Sequence, residues 1–352
     1  MKIGIVGLPN VGKSTLFNAL TKKQVDASNY PFCTIDPNVG IVSVPDERID
    51  QLVKIDHPAK IVPAVVEFVD IAGLVRGAHK GEGLGNKFLT HIKEVDAIVH
   101  VLRNFSDKNV THVHGKIDPK EDADTVELEL ILADLDLVSK LFEQANRNSK
   151  SGDKEMIARA SALEKIKLAL EKNELARKVT LEKDEKDSIR DVQLLTTKPI
   201  LYVLNIDENE IGKEINCPKQ PCIPIAAKIE SELVQLSAEE VKEYLQEYNL
   251  KETSLNKFIK ASYDLLGLIT FFTSGITETH AWTIKNGSNA QQAAGRIHTD
   301  FYNKFIRAEI ISFDDYVSSG GESKAKEKGK MWVEGKDYII KDGDVAYFRI
   351  GQ

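Results

Sequence analysis

Gly7-Leu-Pro-Asn-Val-Gly-Lys-Ser14 sets two glycines, a lysine and a hydroxyl at the spacing G-x-x-x-x-G-K-[ST], the pattern of a loop that cradles phosphate. Each residue type has a task. The glycines let successive backbone N–H groups turn inward, so that they and the start of the following helix meet phosphate oxygens. Lys13 can reach the β and γ phosphates, and the Ser14 hydroxyl can join a Mg²⁺ shell. Further along, Asp70-Ile-Ala-Gly73 follows an apolar run, where Asp70 is expected to hold Mg²⁺ through a water and the Gly73 N–H to sense a γ-phosphate. Thr34, in the polar loop Asn29-Tyr-Pro-Phe-Cys-Thr, falls where switch GTPases carry a threonine that closes over Mg²⁺.

The base and the attacking water pose separate questions. Switch GTPases recognise guanine with Asn-Lys-x-Asp, whose aspartate accepts from N1–H and the exocyclic amine. Here the corresponding stretch is Asn205-Ile-Asp-Glu208, without the lysine and with a carboxylate one methylene longer. That change removes the main reason to prefer GTP, so ATP is the expected substrate and GTP the weaker one. Asp207 sits one place too early to act as the usual aspartate, and Ala226 stands where the base-closing loop usually has serine. Leu74 occupies the position at which many GTPases orient water with glutamine, and an apolar side chain cannot do that. Another group must place the water, or hydrolysis stays slow until a partner supplies one. Phe105–Pro119 is polar and holds His112 and His114, two catalytic candidates beside Lys13. Asn10 is also found in small NTPases that recruit K⁺ near the phosphates, which makes K⁺ a candidate ion.

These residues need strands to carry them. Residues 2–6, 64–69, 97–102 and 200–204 are short apolar, β-branched runs suited to strands buried on both faces of a parallel sheet. An open α/β sheet binds its ligand at the carboxyl ends of such strands. From about Glu121 to Gln193 glycine and proline almost vanish, and Leu128, Ile131, Leu132, Leu135, Val138 and Phe142 recur at helical spacing. Asn146–Asp153 reads as a turn, giving an inserted helical hairpin whose mixed-sign charges suit a solvated face. After Gly267, strands at 268–273, 279–284 and 345–350, a helix at 290–305 and a mobile Lys-rich loop at 320–330 predict a small α+β domain. The expected division is 1–120 with 197–266, then 121–196, then 267–352.

Length and composition fit this plan. The chain has 352 residues, too many for one compact core, with 42% hydrophobic and 29% charged residues, as in soluble globular proteins. It lacks any long uncharged apolar span, and Met1-Lys2-Ile3-Gly4 leads directly into a strand, so the expected location is the cytoplasm, without membrane contact. A net charge of −7 argues against coating nucleic acid with the whole surface, so an RNA partner would be met by a local patch. Cys33, Cys217 and Cys222 are read as reduced thiols.

Taken together, Gly7–Thr15, Asn29–Thr34, Asp70-Ile-Ala-Gly-Leu-Val-Arg-Gly-Ala78, Asn205–Glu208 and Gly295-Arg-Ile-His-Thr-Asp-Phe301 resemble the Obg-like ATPase (YchF) family of translation-factor-class P-loop proteins, over essentially the whole chain. The resemblance implies a G-domain sheet, a coiled-coil-like helical insertion and a C-terminal β-grasp (TGS) domain associated with RNA and ribosome partners. It implies ATP over GTP, with nucleotide contacts at Asn10, Val11, Gly12, Lys13, Ser14 and Thr15, and Ile206 at the base within the family's Asn-x-x-Glu motif. By the same resemblance Ser14 and Thr34 hold Mg²⁺, and His112 is the catalytic loop histidine. The expected protein is a monomeric, slow ATPase acting as a nucleotide-dependent switch on the ribosome. Two rivals remain: a GTP-specific switch, and a nucleotide-gated binding module with negligible hydrolysis.

Overall fold

The computed structural model describes residues 1–23, 38–71, 84–107, 110, 116–150 and 152–351. In chain order, β1 (Lys2–Val6), α1 (Lys13–Thr21), β2 (Val39–Ser43), α2 (Glu47–Asp56), β3 (Lys60–Val62), β4 (Val65–Asp70), α3 (Leu84–Lys93) and β5 (Ala97–Arg103) precede the long helices α4 (Pro119–Ser149) and α5 (Lys154–Glu171). Then come α6 (Lys183–Ser188), β6 (Ile200–Asn205), β7 (Cys222–Ile225), α7 (Ala227–Leu233), α8 (Ala238–Glu247) and α9 (Ser254–Leu265). The tail adds β8 (Leu268–Thr273), β9 (Glu278–Lys285), α10 (Ala290–Ile297), α11 (Thr299–Asn303), β10 (Phe305–Ile311), α12 (Phe313–Ser319), α13 (Glu322–Glu327), β11 (Trp332–Glu334) and β12 (Val345–Ile350).

The described residues within Met1–Lys22, Asp36–Gly40 and Phe68–Leu255 form one compact unit, and those within Lys23–Ile35, Ile41–Glu67 and Asn256–Gln352 a second. One six-stranded sheet has the order β2-β4-β1-β5-β6-β7. Its pairs β1–β5, β5–β6 and β6–β7 are parallel. Parallel pairing explains the continuous apolar runs, since both faces are covered: every residue of β5 and β6 is buried. It also brings the carboxyl ends of β1, β5 and β6, and so Gly7, Arg103 and Asn205, to one edge of the sheet.

The helical stripe expected after 121 is present. Ile131 and Val138 of α4 bury against Leu163, Ile166 and Leu170 of α5. Leu128, placed in that stripe by spacing, is instead exposed. Helix α4 starts at Asp118, whose side chain accepts from the Glu121 N–H at 3.1 Å with Pro119 in the first turn, and it continues through the expected turn as far as Ser149. Asp153 caps α5 by accepting from the Glu155 N–H at 2.9 Å.

The second sheet has the order β11-β10-β12-β8-β9-β3. Its core joins Phe271, Ala308, Ile310 and Ala346 to Ala290 and Ala293 of α10. Here sequence expectations need correction. The helix expected over 290–305 stops at Ile297, because His298 is extended at φ −159° and ψ 148°. The residues that follow α11 form β10, an interior strand paired with β11 and β12. The expected mobile loop at 320–330 contains helix α13. Good helix formers at 322–327 lie between left-handed glycines at 320, 321 and 329, and Ala325 is fully buried. Lys330 pairs with Asp315 at 3.2 Å. Cys217 and Cys222, expected as thiols, form a disulfide with a Cα–Cα separation of 6.2 Å, inside the range a disulfide spans. Among the described residues, no helix is long and apolar enough to cross a membrane.

Candidate functional site

Strand β1 ends buried at Val6, and the chain then curls through Gly7–Gly12 into α1. Gly7 has φ +155°, and a Cβ there would come 2.5 Å from the Val101 carbonyl oxygen. Gly12 has φ +94°, and a Cβ there would come 2.2 Å from Asn205 Nδ2. Both glycines are therefore demanded by the loop's close approach to β5 and β6 as well as by its dihedrals. Asn10 is also left-handed, at φ 62°. Helix α1 opens with no side-chain cap and no acidic residue in its first turn, which leaves its N–H groups free of competing negative charge.

Lys13 folds back over this loop, donating from Nζ to Gly7 O at 2.8 Å and more loosely to Leu8 O at 3.4 Å. Burial pushes its pKa down, and the Asp70 carboxylate opposes that shift. Asp70 stands at the end of β4, its N–H donating to Asn38 O at 2.9 Å. Its Oδ1 is buried with no hydrogen-bond partner among the described residues, and burial pushes its pKa up while Lys13 pulls it down. A buried carboxylate oxygen without a donor is costly unless a cation or donor reaches it, so this oxygen fits a divalent ion. Ser14 is exposed and Thr15 half-buried at the start of the same helix. Thr34, Gly73, Leu74, His112 and His114 lie outside the described residues.

At the neighbouring strand end, Asn205 is buried. Its Nδ2 donates to Val11 O at 3.0 Å, and its Oδ1 accepts from the Ala227 N–H at 3.1 Å. Asn205 thus ties the glycine loop to the start of α7. Ile206 is buried, its N–H donating to Ile225 O at 3.0 Å. Asp207 is engaged elsewhere: one carboxylate oxygen accepts from both the N–H and the hydroxyl of Ser106 at 3.0 Å. Glu208 stands exposed at the start of a short 3-10 turn, Glu208–Glu210.

The same architecture recurs in known proteins. Residues 2–169 match a family model described as 50S ribosome-binding GTPase, and residues 268–351 match the YchF-GTPase C-terminal model, described as a protein of unknown function (DUF933). The Bacillus subtilis (strain 168) ribosome-binding ATPase YchF is 50% identical over 359 residues, covering 98% of this chain and 98% of that protein. The protein of the same name from Escherichia coli O157:H7 is 49% identical over 356 residues, covering 99% and 98%. The chain belongs to the YchF family. A solved Schizosaccharomyces pombe structure, described as a YchF GTPase, superposes with a TM-score of 0.88 at 38% identity, covering 99% of this chain and 97% of that one.

For this YchF family member the structure adds residues that the motifs do not contain. The Phe105 ring reaches to 4.0 Å from where a Cβ on Gly12 would stand, which sets an aromatic face beside the glycine loop. Arg103, almost fully buried, stacks its guanidinium 4.4 Å from the centre of that ring and donates to Phe105 O at 3.2 Å and Asp107 O at 3.3 Å. Their signal in the sequence is the Arg103-Asn-Phe105 segment at the end of a buried strand. Tyr248 has no motif and enters this region through tertiary packing alone: with Ser106, Asp207, Glu208 and Asn209 it lines an open cavity of about 500 Å³.

Proposed function

We propose that this chain is a Mg²⁺-dependent P-loop nucleoside triphosphatase that hydrolyses ATP, GTP less well, and works in the cytoplasm as a monomeric, nucleotide-dependent switch on the ribosome. One observation carries the reading: the half-buried Lys13–Asp70 pair beside the glycine loop, with Asp70 Oδ1 lacking any donor among the described residues. A triphosphate would draw Lys13 Nζ from the loop carbonyls onto its β and γ oxygens, and a Mg²⁺ held by Ser14, Asp70 and Thr34 would neutralise the charge that develops there. Asn10, Val11, Gly12 and Thr15 would supply further phosphate contacts, and Gly73 would sense the γ-phosphate. Phe105 and Ile206 suit the faces of a purine, with Asn205 holding the loop between them.

In this reading His112 places the attacking water in a chain that has Leu74 where glutamine is usual. Equal turnover in potassium and sodium buffers would remove K⁺ from the mechanism. The G domain spans 1–120 and 197–266, the helical insertion 121–196 and the TGS domain 267–352. Ribosome binding rests on the names of the relatives, which are called ribosome-binding ATPases.

The test is equilibrium competition between ATP and GTP, followed by single-turnover hydrolysis and sedimentation with ribosomes in each nucleotide state. ATP should win the competition, and ribosome association should follow the nucleotide. A second reading, a GTP-specific switch, is favoured by the name of the fission-yeast relative, a YchF GTPase, and stronger GTP binding would select it. Hydrolysis undetectable with and without ribosomes would instead leave a nucleotide-gated binding module.

A further inference from the structure

Cys217 and Cys222 stand five residues apart in sequence and are joined by a disulfide, and the loop between them carries Lys219. In a compartment that keeps thiols reduced, such as the cytoplasm proposed above, a disulfide is ordinarily transient and redox-sensing rather than a permanent staple. Closing so short a loop removes little entropy from the unfolded chain, so the fold has small need of the bond. Other contacts hold the segment. Strand β7 pairs with β6 from Cys222 opposite Tyr202 to Ile225 opposite Asn205, and the Tyr202 N–H donates to Pro221 O at 2.9 Å. Strand β7 lies at the edge of its sheet; Cys222 there is half-buried while Cys217 is buried, so Cys222 is the more open of the two to an exchanging thiol.

Lys219 gives this loop something to control. Its ammonium pairs with Asp124 at 2.6 Å and with Glu127 at 3.0 Å, both on α4 of the inserted helices. Glu127 accepts in turn from the Tyr202 hydroxyl, and Tyr202 is the strand partner of Cys222. The loop that the disulfide closes therefore ties the edge of the sheet to the start of α4.

We propose that Cys217 and Cys222 form a reversible thiol–disulfide site, whose oxidation fixes Lys219 against α4 and whose reduction loosens that hold. The oxidant is a low-molecular-weight disulfide such as oxidised glutathione. One cysteine thiolate attacks a sulfur of that disulfide and releases one small thiolate; the other cysteine thiolate then attacks the mixed disulfide and releases the second. Two electrons leave the pair of cysteine sulfurs, and their two protons end on the two small thiols. This site goes beyond the nucleotide reading, and failure of either leaves the other standing.

The experiment equilibrates the full chain at varied ratios of oxidised to reduced glutathione, quenches with acid, tags free thiols and locates the tags by mass spectrometry, then follows backbone hydrogen exchange in each state. As the ratio rises, Cys217 and Cys222 should lose their tags together and appear as one cross-linked peptide, and excess dithiothreitol should restore both tags in the folded protein. Reduction should speed exchange over residues 119–131 about two- to fivefold, the scale of an ion pair partly in solvent. Lys219→Gln, kept in the disulfide form, should exchange there as fast as reduced wild type. Both cysteines tagged at every ratio, a disulfide that dithiothreitol leaves intact in the folded protein, or equal exchange over 119–131 in the two states overturns the proposal.

Discussion

Around Gly7–Ser14 the groups proposed to face phosphate come from one continuous stretch, in which strand β1, a glycine loop and helix α1 follow one another directly. Around Glu208 the residues that line an open cavity are gathered from three places: Ser106 after β5, Asp207–Asn209 after β6, and Tyr248 after α8. The phosphate end uses backbone N–H groups and one lysine, whose positions local geometry fixes. The proposed base end would use side chains whose positions depend on packing between distant segments. In the proposed reading phosphate recognition would be shared among nucleotides, whereas choice of base would be set by parts gathered from separate segments. Asn205 joins the two ends through Val11 O and the Ala227 N–H.

The largest expected effect lies at the phosphate end. Lys13→Ala should weaken ATP and GTP alike by about 100-fold or more in calorimetry, because charge-assisted contacts to two phosphates vanish. A loss confined to one base would break the division between the ends. Next, Asn205→Ala should lower unfolding free energy by about 2 kcal/mol, since it strands a buried N–H and a buried carbonyl, and should weaken both nucleotides together. Urea melts at neutral pH measure the first effect, and wild-type stability would show that the ends are not tied through this side chain.

Asp70→Asn should cost about tenfold in Mg²⁺-dependent ATP binding, the loss of one ionic contact. Without nucleotide it should be no less stable than wild type at neutral pH. Burial raises the folded pKa of Asp70, so the stability linked to its protonated form is present at low pH and is lost as pH rises through that pKa. The asparagine does not titrate and escapes this loss; a lower urea midpoint at pH 7 would contradict the sign.

The smallest effect belongs to strand β5, between β1 and β6. His100 of β5 pairs in register with Val6 of β1 and Tyr202 of β6, and its Nε2 has no partner among the described residues. Burial first, then Lys13 and Lys219, push its pKa down to about 3 from 6.5. Stability tied to the neutral ring is present above 6.5 and drains as pH falls, because the unfolded chain takes up a proton that the folded chain refuses. Between pH 6 and pH 5 wild type should lose about 1 kcal/mol more than His100→Gln. Parallel pH profiles would mean that the ring is not held neutral.

Much of this was open to sequence reading because it is local. The G-x-x-x-x-G-K-[ST] spacing carries its own strand, turn and helix, and the β-branched runs marked β1, β4, β5 and β6 within a residue or two. Asp207 shows the limit. Its type and place suggest a base-reading acid one position out of register, yet it holds Ser106, and no local rule reveals that partner. Strand β10, which begins where the expected helix over 290–305 was to end, has no expectation from sequence, since a strand inside a sheet depends on its neighbours β11 and β12 more than on its own pattern. The segment at 320–330 looked mobile by composition, but Ala325 is buried there and orders α13.

By itself the sequence determined the phosphate loop, the acid at the end of β4, the buried parallel strands and the inserted helices, because each depends on dihedral preference or on periodicity within one segment. Only the tertiary structure decided that Asn205 braces the loop, that Phe105 and Arg103 stack beside it, that Cys217 meets Cys222, and that Tyr248 joins Glu208 in one cavity. The physical reason is that these are contacts between segments far apart in the chain, whose closeness is fixed by how the sheet and helices pack and leaves no periodic trace in any one of them.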